Sequence, residues 1–296
     1  MAGSTGLTKP IAELVRARYS CRTYTGTPLE QAQRAALEKA FGNLPDGPFS
    51  GSNRFSLAAA QAEDHRELRG LVTYGFIKDA PAYILGASVE NSPEHPFALE
   101  NFGYRMECLV LFATEIGLGT CWLGGTFNRS GFARRLNLQP GEVIPTVTAV
   151  GARADRRSRM DVVIRTQARG DDRLPWDVLF YDSQFGQPLA PSAAGEYAQA
   201  LELLRLAPSA SNKQPWRVVR ATAGWHFYRQ RTPGYRDMWL TRLLRVADMQ
   251  RVDLGIGMCH FELAAREMGL AGAWQCCDPG LSVPDTLTEY VATWAE

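Results

Sequence analysis

Hydrophobic positions recur at helical spacing in two long stretches of the chain, and the two stretches resemble each other. The first is FGYRMECLVLFATEIGLGTCW, residues 102–122, and the second is LGIGMCHFELAAREMGLAGAW, residues 254–274. In each, the apolar residues follow a period close to 3.6, the pattern stops at a glycine, and an apolar run follows. This order predicts a long buried helix, ended by Gly117 or Gly269, and then a strand.

A single offset aligns the two stretches, which predicts that the chain is a tandem duplication of one unit. We place the boundary near residue 170, so that copy one covers residues 1–170 and copy two covers residues 171–296. The aligned positions are Gly103 with Gly255, Met106 with Met258, Leu111 with Leu263, Ala113 with Ala265, Glu115 with Glu267, the Gly-Leu pairs that follow, and Trp122 with Trp274.

The remaining pattern predicts further helices and strands that do not alternate strictly, which is typical of an α+β fold. An amphipathic helix begins around Ile11, and a second is expected from a capping box at Thr27, Pro28 and Glu30 to Gly42. Its counterpart in copy two is expected over Ser192–Leu206. Strands are expected at Arg54–Ala60, Ala82–Ser88, Pro145–Gly151, Trp216–Ala221, Trp225–Arg229 and Glu289–Trp294. A charged connector between the two copies covers residues 151–176, with a short strand expected at Met160–Thr166.

Composition and charge exclude several functional classes. The chain has 296 residues, of which 45% are hydrophobic and 21% charged, enough for one large core or two modest ones. A formal net charge of +1 gives no reason to expect nucleic acid or an anionic membrane as partner. The N-terminal residues carry no signal-peptide pattern, and the longest apolar run, Cys108–Ala113, is too short to cross a bilayer. We therefore expect a soluble cytoplasmic protein.

The cysteines and histidines do not form a metal-binding or disulfide pattern. Six cysteines, at positions 21, 108, 121, 259, 276 and 277, include no CxxC spacing, and the four histidines are far apart in sequence. We expect buried free thiols and no metal. The adjacent pair Cys276 and Cys277 leaves redox activity open as an alternative.

Three short motifs are rich in groups that bind a polar, planar ligand. They are RARYSCRTY at residues 16–24, GLGTCWLGG at residues 117–125 and PSASNKQPW at residues 208–216. Together and in this order, across a duplication, they resemble the motifs of the FMN-dependent nitroreductase superfamily. The LPWDVLFY segment at residues 174–181 and the order of pieces resemble its tandem single-chain branch. The resemblance implies FMN as cofactor and a nitroreductase-like fold, with the two copies forming an intramolecular pseudo-dimer.

The resemblance assigns the first motif to the FMN phosphate. A phosphate carries about two negative charges, and two arginines around a serine offer charge-assisted and hydroxyl hydrogen bonds to its oxygens. Arg18 and Ser20 are expected at the phosphate and Arg22 at the N1 and O2 edge of the ring. Arg153, after the strand that ends at Gly151, is a second phosphate candidate.

The other two motifs are expected around the isoalloxazine ring. The resemblance directs the N–H groups of Leu123 and Gly124 toward flavin N5, with Trp122 and Gly125 flanking them. Ser209 and Ser211 are expected at the pyrimidine edge, while Asn212 either pairs with that edge or locks the loop. Trp216 is expected to anchor the core, with stacking on the ligand as the alternative. The residues expected to contact the cofactor in this loop are Pro208, Ser209, Ala210, Ser211, Asn212 and Gln214.

The two copies have lost complementary parts of the site. Copy two lacks the Arg-x-Ser-x-Arg motif and carries Asp182 where a phosphate would be repelled, and its GLAGAW lacks the double glycine. Copy one has LPDGPFSGSNRF, residues 44–55, in place of the serine-asparagine loop, with Ser52 and Asn53 as a remnant. This predicts one FMN per chain, and a chain that can function as a monomer.

Three functions follow from the resemblance. The first is an oxidoreductase in which NAD(P)H reduces FMN, which then reduces a nitroaromatic, a quinone or a related small acceptor in a ping-pong cycle. The cofactor performs the redox chemistry, so no catalytic acid or base is expected. The alternatives are a flavin-binding or flavin-storage protein without efficient turnover, and a degenerate scaffold without flavin. Residues 97–104 and 231–245 are candidate substrate-facing or lid segments, and helical packing explains the latter equally well.

Overall fold

The computed structural model describes residues 6–49, 51, 53–59, 77–125, 127–155, 161, 166, 169–222, 224–235 and 247–296. The helices in these ranges are α1 (Ile11–Ala17), α2 (Gln31–Gly42), α3 (Ala98–Glu115), α4 (Arg129–Leu136), α5 (Trp176–Leu179), α6 (Ala198–Arg205) and α7 (Met249–Glu267), with 3-10 turns at Pro191–Tyr197 and Ala210–Asn212. The strands are β1 (Asn53–Ala59), β2 (Ala82–Val89), β3 (Gly119–Leu123), β4 (Glu142–Val143), β5 (Val147–Gly151), β6 (Phe180–Asp182), β7 (Trp216–Ala221), β8 (Gly224–Gln230), β9 (Ala273–Gln275) and β10 (Thr288–Ala295).

The two longest helices, α3 and α7, cross with their backbones in contact. A Cβ added at Gly103 would collide with the main-chain carbonyl of Val252, and one added at Gly255 would collide with that of Glu100. Glycine is required here because only a hydrogen fits between the two backbones. The contacts are reciprocal, since Glu100 and Val252 each lie three positions before the glycine of their own helix.

Two sheets flank this helix pair, and their main strands have the same order. In the first sheet the order is β1-β2-β5-β3, with β4 beside β2, and every neighbouring pair is antiparallel. In the second the order is β6-β7-β8-β10-β9, and only the β6 and β7 pair is parallel. If β4 and β6 are left out, four strands remain in each sheet and both sheets have the same order. Counted along the chain, the first strand lies beside the second, the second beside the fourth, and the fourth beside the third.

A single apolar cluster joins the two halves of the chain. It includes Phe102 and Leu109 from α3, Met258 and Phe261 from α7, and Trp216 from β7, all of them at 0% exposure. Nearly every residue of α3 and α7 is buried, which explains why both helices are apolar around most of their circumference. The mixed helix-and-sheet fold predicted from the sequence is confirmed.

Most of the predicted elements are present, but several boundaries were wrong. Helix α2 begins at Gln31, because Glu30 and not Thr27 caps it and Gln33 reciprocates in the capping box. The helix expected over Ser192–Leu206 is broken at Gly195, whose φ of 57° is incompatible with a continuous α-helix. Only Asp161 and Thr166 of the strand expected at 160–166 are fully described, and both are helical.

The prediction of buried thiols holds for only part of the cysteines. Cys21, Cys108, Cys121 and Cys259 are buried, whereas Cys276 and Cys277 are exposed. The adjacent pair follows the short edge strand β9. None of the helices in the described part of the chain combines the length and hydropathy that a membrane crossing needs.

Candidate functional site

A cavity of about 340 Å³ lies where the end of α1 meets the segment between α6 and β7. Four arginines and one aspartate line it, so its wall is strongly basic although the whole chain is almost neutral. The volume lies in the range of small-molecule and cofactor sites, which is roughly 300–1,000 Å³. The lining residues are Val15, Arg16, Arg18, Tyr19, Ser20, Arg22, Gly170, Asp171, Arg173, Leu206, Pro208, Ser209, Ser211 and Asn212.

The first wall is an extended segment that follows α1. The helix ends as Arg18 adopts extended φ/ψ angles, with its N–H still bonded to the Leu14 carbonyl. Ser20 then pairs in parallel with Thr120 of β3, fixed by a 2.8 Å bond from the Cys21 N–H to the Thr120 carbonyl. Side chains alternate along extended backbone, so the side chains of residues 18, 20 and 22 share one side. The Arg-x-Ser-x-Arg part of the motif therefore presents Arg18, Ser20 and Arg22 to the cavity.

Arg18 and Arg22 have different carboxylate partners behind this wall. Arg18 Nε lies 3.9 Å from Oε1 of Glu107, a residue of α3 with 0% exposure. Arg22 Nη1 donates to Oδ1 of the buried Asp161 at 3.1 Å. These carboxylates lie beside the guanidinium groups at the cavity wall.

The second wall is a tight loop over residues 208–214. Ser211, Asn212 and Gln214 all have positive φ, at 50°, 54° and 50°. Such a conformation costs about 1 kcal/mol or more for a residue with a Cβ, so local bonds must impose it. The Ser209 hydroxyl accepts the Gln214 N–H at 2.9 Å, and the carboxylate of Asp253 on α7 accepts the Ala210 N–H at 2.9 Å.

The side chains of Asn212 and Gln214 bind the connector between the two halves of the chain. Asn212 Nδ2 donates to the carbonyls of Arg169 and Asp172 at 2.7 and 2.9 Å. Gln214 Oε1 accepts the Leu174 N–H at 2.9 Å. Of the two roles that the sequence left open for Asn212, these bonds correspond to locking the loop.

Asp253 is a buried anchor of this loop with one oxygen unused. Its Oδ2 is buried and has no hydrogen-bond partner among the described residues. Burial raises the pKa of Asp253 well above its usual range, against the smaller opposing effect of the Ala210 N–H. Asn101 holds the corresponding position on α3, where its Oδ1 accepts the Phe49 N–H of the first-half loop at 3.2 Å.

Seven of the predicted site residues do not line the cavity. Trp122 donates its Nε1–H to Glu107 at 3.0 Å, and a Cβ added at Gly124 would lie 2.9 Å from Sδ of Met249. Arg153 stacks over the ring of Tyr19 at 4.8 Å and so reaches the cavity only through that ring. The seven are Trp122, Leu123, Gly124, Gly125, Arg153, Ala210 and Gln214.

The cavity also contains residues that the sequence did not single out, and Arg173 is one of two arginines among them. Its guanidinium donates to the carbonyls of Gly170, Asp172 and Leu206 at 2.8–3.1 Å and so ties the connector to the loop. In the sequence it is one arginine of a charged run, which is typical of a solvated surface. The only available signal was its place directly before the LPWDVLFY segment. The other lining residues missed were Val15, Arg16, Tyr19, Gly170, Asp171 and Leu206.

Cysteine chemistry is not supported next to this site. Cys21 and Cys121 lie in and beside the first wall, and both are buried. Burial raises the pKa of the Cys121 thiol to about 11 and also raises the pKa of Cys21. Both thiols are therefore protonated at neutral pH and are poor nucleophiles.

Comparisons with known proteins identify similar sequences and folds. The family model described as "Putative TM nitroreductase" matches residues 10–265. A solved structure described as a "putative nitroreductase" from Thermotoga maritima is 18% identical, with a TM-score of 0.58 over 97% of this chain and 94% of that chain. No curated protein matches the sequence significantly.

Two further solved structures cover about half of this chain. One is described as an FMN-dependent nitroreductase from Clostridium difficile, at 18% identity and a TM-score of 0.40, over 49% of this chain and 88% of that one. The other is described as a nitroreductase with bound FMN from Bacteroides fragilis, at 20% identity and a TM-score of 0.39, over 51% of this chain and 92% of that one.

Proposed function

Because the chain belongs to this nitroreductase family, we propose that it is an FMN-dependent oxidoreductase that uses NAD(P)H to reduce nitroaromatics, quinones or related small acceptors. The observation that carries the proposal is the composition of the cavity. Arg18, Ser20 and Arg22 from one motif face Pro208, Ser209, Ser211 and Asn212 from the other across a single space. Two motifs so distant in sequence have no local reason to meet.

The lining residues fit FMN in charge and in shape. Arginines and a serine hydroxyl beside an extended backbone match a phosphate, which prefers charge-assisted donors in a fixed geometry. The loop over residues 208–212 presents serine groups and main-chain polar groups, which match the hydrogen-bonding edge of a planar ring. We assign Arg18 and Ser20 to the phosphate, Arg22 to the N1 and O2 edge, and the serines to the pyrimidine edge.

FMN, when bound, would supply the redox chemistry by accepting hydride from the nicotinamide and passing electrons to the second substrate. The chain itself would bind, orient and shield the reacting ring. By resemblance, we assign the main-chain N–H groups of Leu123 and Gly124, which are not among the residues that line the cavity, to the N5 side of the ring, where a donor stabilises developing negative charge. No side chain is assigned to general acid or base catalysis.

We also propose that the two halves, residues 1–170 and 171–296, are tandem copies that form an intramolecular pseudo-dimer. The reciprocal glycine crossing of α3 and α7 and the equal strand order of the two sheets support this. The hydrogen bonds of Asn101 and Asp253 also support it. The two residues occupy equivalent positions on α3 and α7, and each accepts a main-chain N–H of a loop in its own half. In this arrangement a single chain would complete a site that needs two copies.

A flavin-binding or flavin-storage function without efficient turnover is the second candidate. Met249, at the start of α7, packs directly against the Gly124 backbone. If Gly124 faces flavin N5, this side chain would narrow the space through which a nicotinamide must approach. A scaffold without flavin is the third candidate, and a colourless protein that binds no added FMN would support it.

Anaerobic reduction of the purified protein separates the first two functions. The reductase proposal predicts that the bound flavin bleaches on addition of NADH or NADPH and recovers its colour with a quinone or a nitroaromatic. Dithionite serves as the control, because it reduces an accessible flavin without a nicotinamide site. A flavin that dithionite bleaches and neither nucleotide affects would favour storage over catalysis.

A further inference from the structure

One fully buried carboxylate connects the cavity, strand β3 and the second half of the chain. Glu107 on α3 has 0% exposure. Its Oε1 lies 3.0 Å from Nε2 of His260 on α7 and 3.9 Å from Nε of Arg18. Its Oε2 accepts the Nε1–H of Trp122 at 3.0 Å. A buried carboxylate with two hydrogen-bond partners and a guanidinium group at ion-pair distance is an organised site and not a chance surface contact.

The hydrogen bonds of His260 fix the number of protons in this cluster. Its Nδ1 lies 3.0 Å from the Leu203 carbonyl, which can only accept, so Nδ1 carries a proton. The 3.0 Å contact between Nε2 and Glu107 needs a second proton, held either by the imidazole or by the carboxyl group. In both cases the His260 and Glu107 pair has no net charge.

This neutrality decides how Glu107 affects Arg18. An anion beside Arg18 with no cation of its own would offset the charge that a phosphate is attracted to. With His260 on its other side, Glu107 can fix the guanidinium while the cluster of three side chains keeps a net positive charge. Arginine is a long side chain that loses much rotamer freedom when it binds a ligand, so fixing it beforehand favours binding.

We propose that Glu107 is a positioning residue for the FMN phosphate: it orients Arg18 in the cavity wall, and His260 holds it in place from the second half of the chain. The inference rests on the proposed function, since it presupposes a phosphate at Arg18. It assigns the contact between α3 and α7 a role in cofactor binding in addition to its role in the core. A positioning residue acts only through Arg18, and this property can be tested.

The chain provides a matched control for Glu107. Glu262 on α7 also bridges an indole and an arginine, with its carboxylate oxygens accepting from Trp274 at 2.7 Å and from Arg266 at 2.6 Å. It is also largely buried, but none of these three residues lines the cavity. Glu262→Gln therefore reproduces the chemical change of Glu107→Gln away from the site.

The test is fluorescence titration of the apoprotein with FMN and with riboflavin, which lacks the phosphate. Glu107→Gln is expected to weaken FMN binding about tenfold and riboflavin binding less than about twofold. His260→Gln is also expected to lower the ratio of FMN affinity to riboflavin affinity. Without the imidazole, the negative charge of Glu107 offsets the positive charge of Arg18 that attracts the phosphate. Glu262→Gln is expected to leave the ratio unchanged. In an Arg18→Ala background, Glu107→Gln should have no further effect on FMN binding.

Several results would overturn the inference. Equal weakening of both flavins, or weakening of FMN binding that persists in the Arg18→Ala background, would show that Glu107 is only structural. Unchanged or tighter FMN binding would show that it does not orient Arg18. If Glu107→Gln does not fold, the ratio measured with His260→Gln decides in its place. If the wild-type protein binds neither flavin, the proposed function is contradicted together with this inference. If the wild type binds FMN and Glu107→Gln binds it equally well, only this inference is contradicted.

Discussion

Arg18 and Arg22 lie in the same wall of the cavity but have different partners, so their removal should have different consequences. Each replacement by alanine is expected to weaken FMN binding by about 1.5–3 kcal/mol, roughly ten- to a hundredfold. Arg22→Ala also leaves the buried Asp161 without the 3.1 Å pair, which should lower the free energy of unfolding by up to about 3 kcal/mol. Flavin titration and urea denaturation measure the two effects separately.

The control for this pair is Arg34→Ala, which removes the same charge from the exposed face of α2, where Arg34 pairs with Glu38. It should change neither FMN affinity nor stability by more than a few tenths of a kcal/mol. Unchanged FMN affinity in both Arg18→Ala and Arg22→Ala would contradict the phosphate and ring-edge assignments.

Asp253 makes a second prediction at the scale of single residues. Its pKa is ordinary in the unfolded chain, about 3.9, and raised in the folded one. Between these values the unfolded chain binds fewer protons than the folded chain, so stability falls as the pH rises through this window. Asp253→Asn keeps an acceptor for the Ala210 N–H and carries no charge. It should therefore raise stability at neutral pH by about 1 kcal/mol or more.

Urea denaturation at several pH values checks this prediction. The wild type should lose stability between acidic and neutral pH by more than the Asn variant does. Asp253→Ala is the comparison variant, because it removes both the charge and the acceptor for the Ala210 N–H. It should therefore be less stable than Asp253→Asn. In the first half, the uncharged residue Asn101 occupies the equivalent helix position and accepts a loop N–H. An Asn variant that is less stable than wild type at neutral pH would show that the carboxylate is needed.

At the scale of elements, the crossing of α3 and α7 depends on the absence of a side chain at one point. Gly255→Ala is expected to lower the free energy of unfolding by about 1–3 kcal/mol or more, because the new methyl group would force the Glu100 carbonyl away. Gly257→Ala, on the same helix, is the matched control. Its Cβ would lie 3.4 Å from the nearest atom, in ordinary contact with Trp216.

Thermal or urea denaturation of the two variants separates packing from helix propensity. An alanine inside a helix is favoured over glycine by up to about 1 kcal/mol, so Gly257→Ala should be neutral or stabilising. If Gly255→Ala behaved in the same way, the two helices would not be in backbone contact. Gly103→Ala should reproduce the loss seen for Gly255→Ala, because the contact on the other helix is reciprocal.

At the scale of the whole molecule, the prediction concerns the number of cofactors. We expect one FMN per chain, bound between the halves, because the arginine motif is present only in the first half and the Ser-Ala-Ser-Asn loop only in the second. The anion that the sequence placed at the lost phosphate position is not isolated: Asp182 pairs with Arg220 at 2.8 Å. The absence of the two motifs, and not an unpaired Asp182, is therefore the reason to expect no second site.

Quantifying the FMN released from denatured protein against the protein concentration settles the number. A value of two per chain would contradict the complementary loss of motifs. A value near zero, even after incubation with excess FMN, would favour a scaffold without flavin. Measurement of the molecular mass in solution accompanies this count, because a complete site within one chain predicts that FMN binding does not depend on protein concentration.

The sequence by itself determined the features that depend on neighbouring residues. Its apolar periodicity predicted the long helices and most of the strands. That Arg18, Ser20 and Arg22 would meet the loop over residues 208–212 was implied by the resemblance of the motifs to a known family and not by their spacing; in the structure these residues line one cavity. Periodicity and motif spacing are local properties, and the chain obeys them wherever packing does not oppose them.

Only the tertiary structure decided how the site is built. Asn212 and Gln214 turned out to bind the connector, Arg173 entered the cavity from a charged run, and Glu107 met His260 across two helices. Each of these contacts joins residues that are remote in sequence, and no periodicity encodes which remote groups will meet. The contact between Glu107 and His260 depends on the backbone contact at Gly103 and Gly255, which sets the position of α3 against α7.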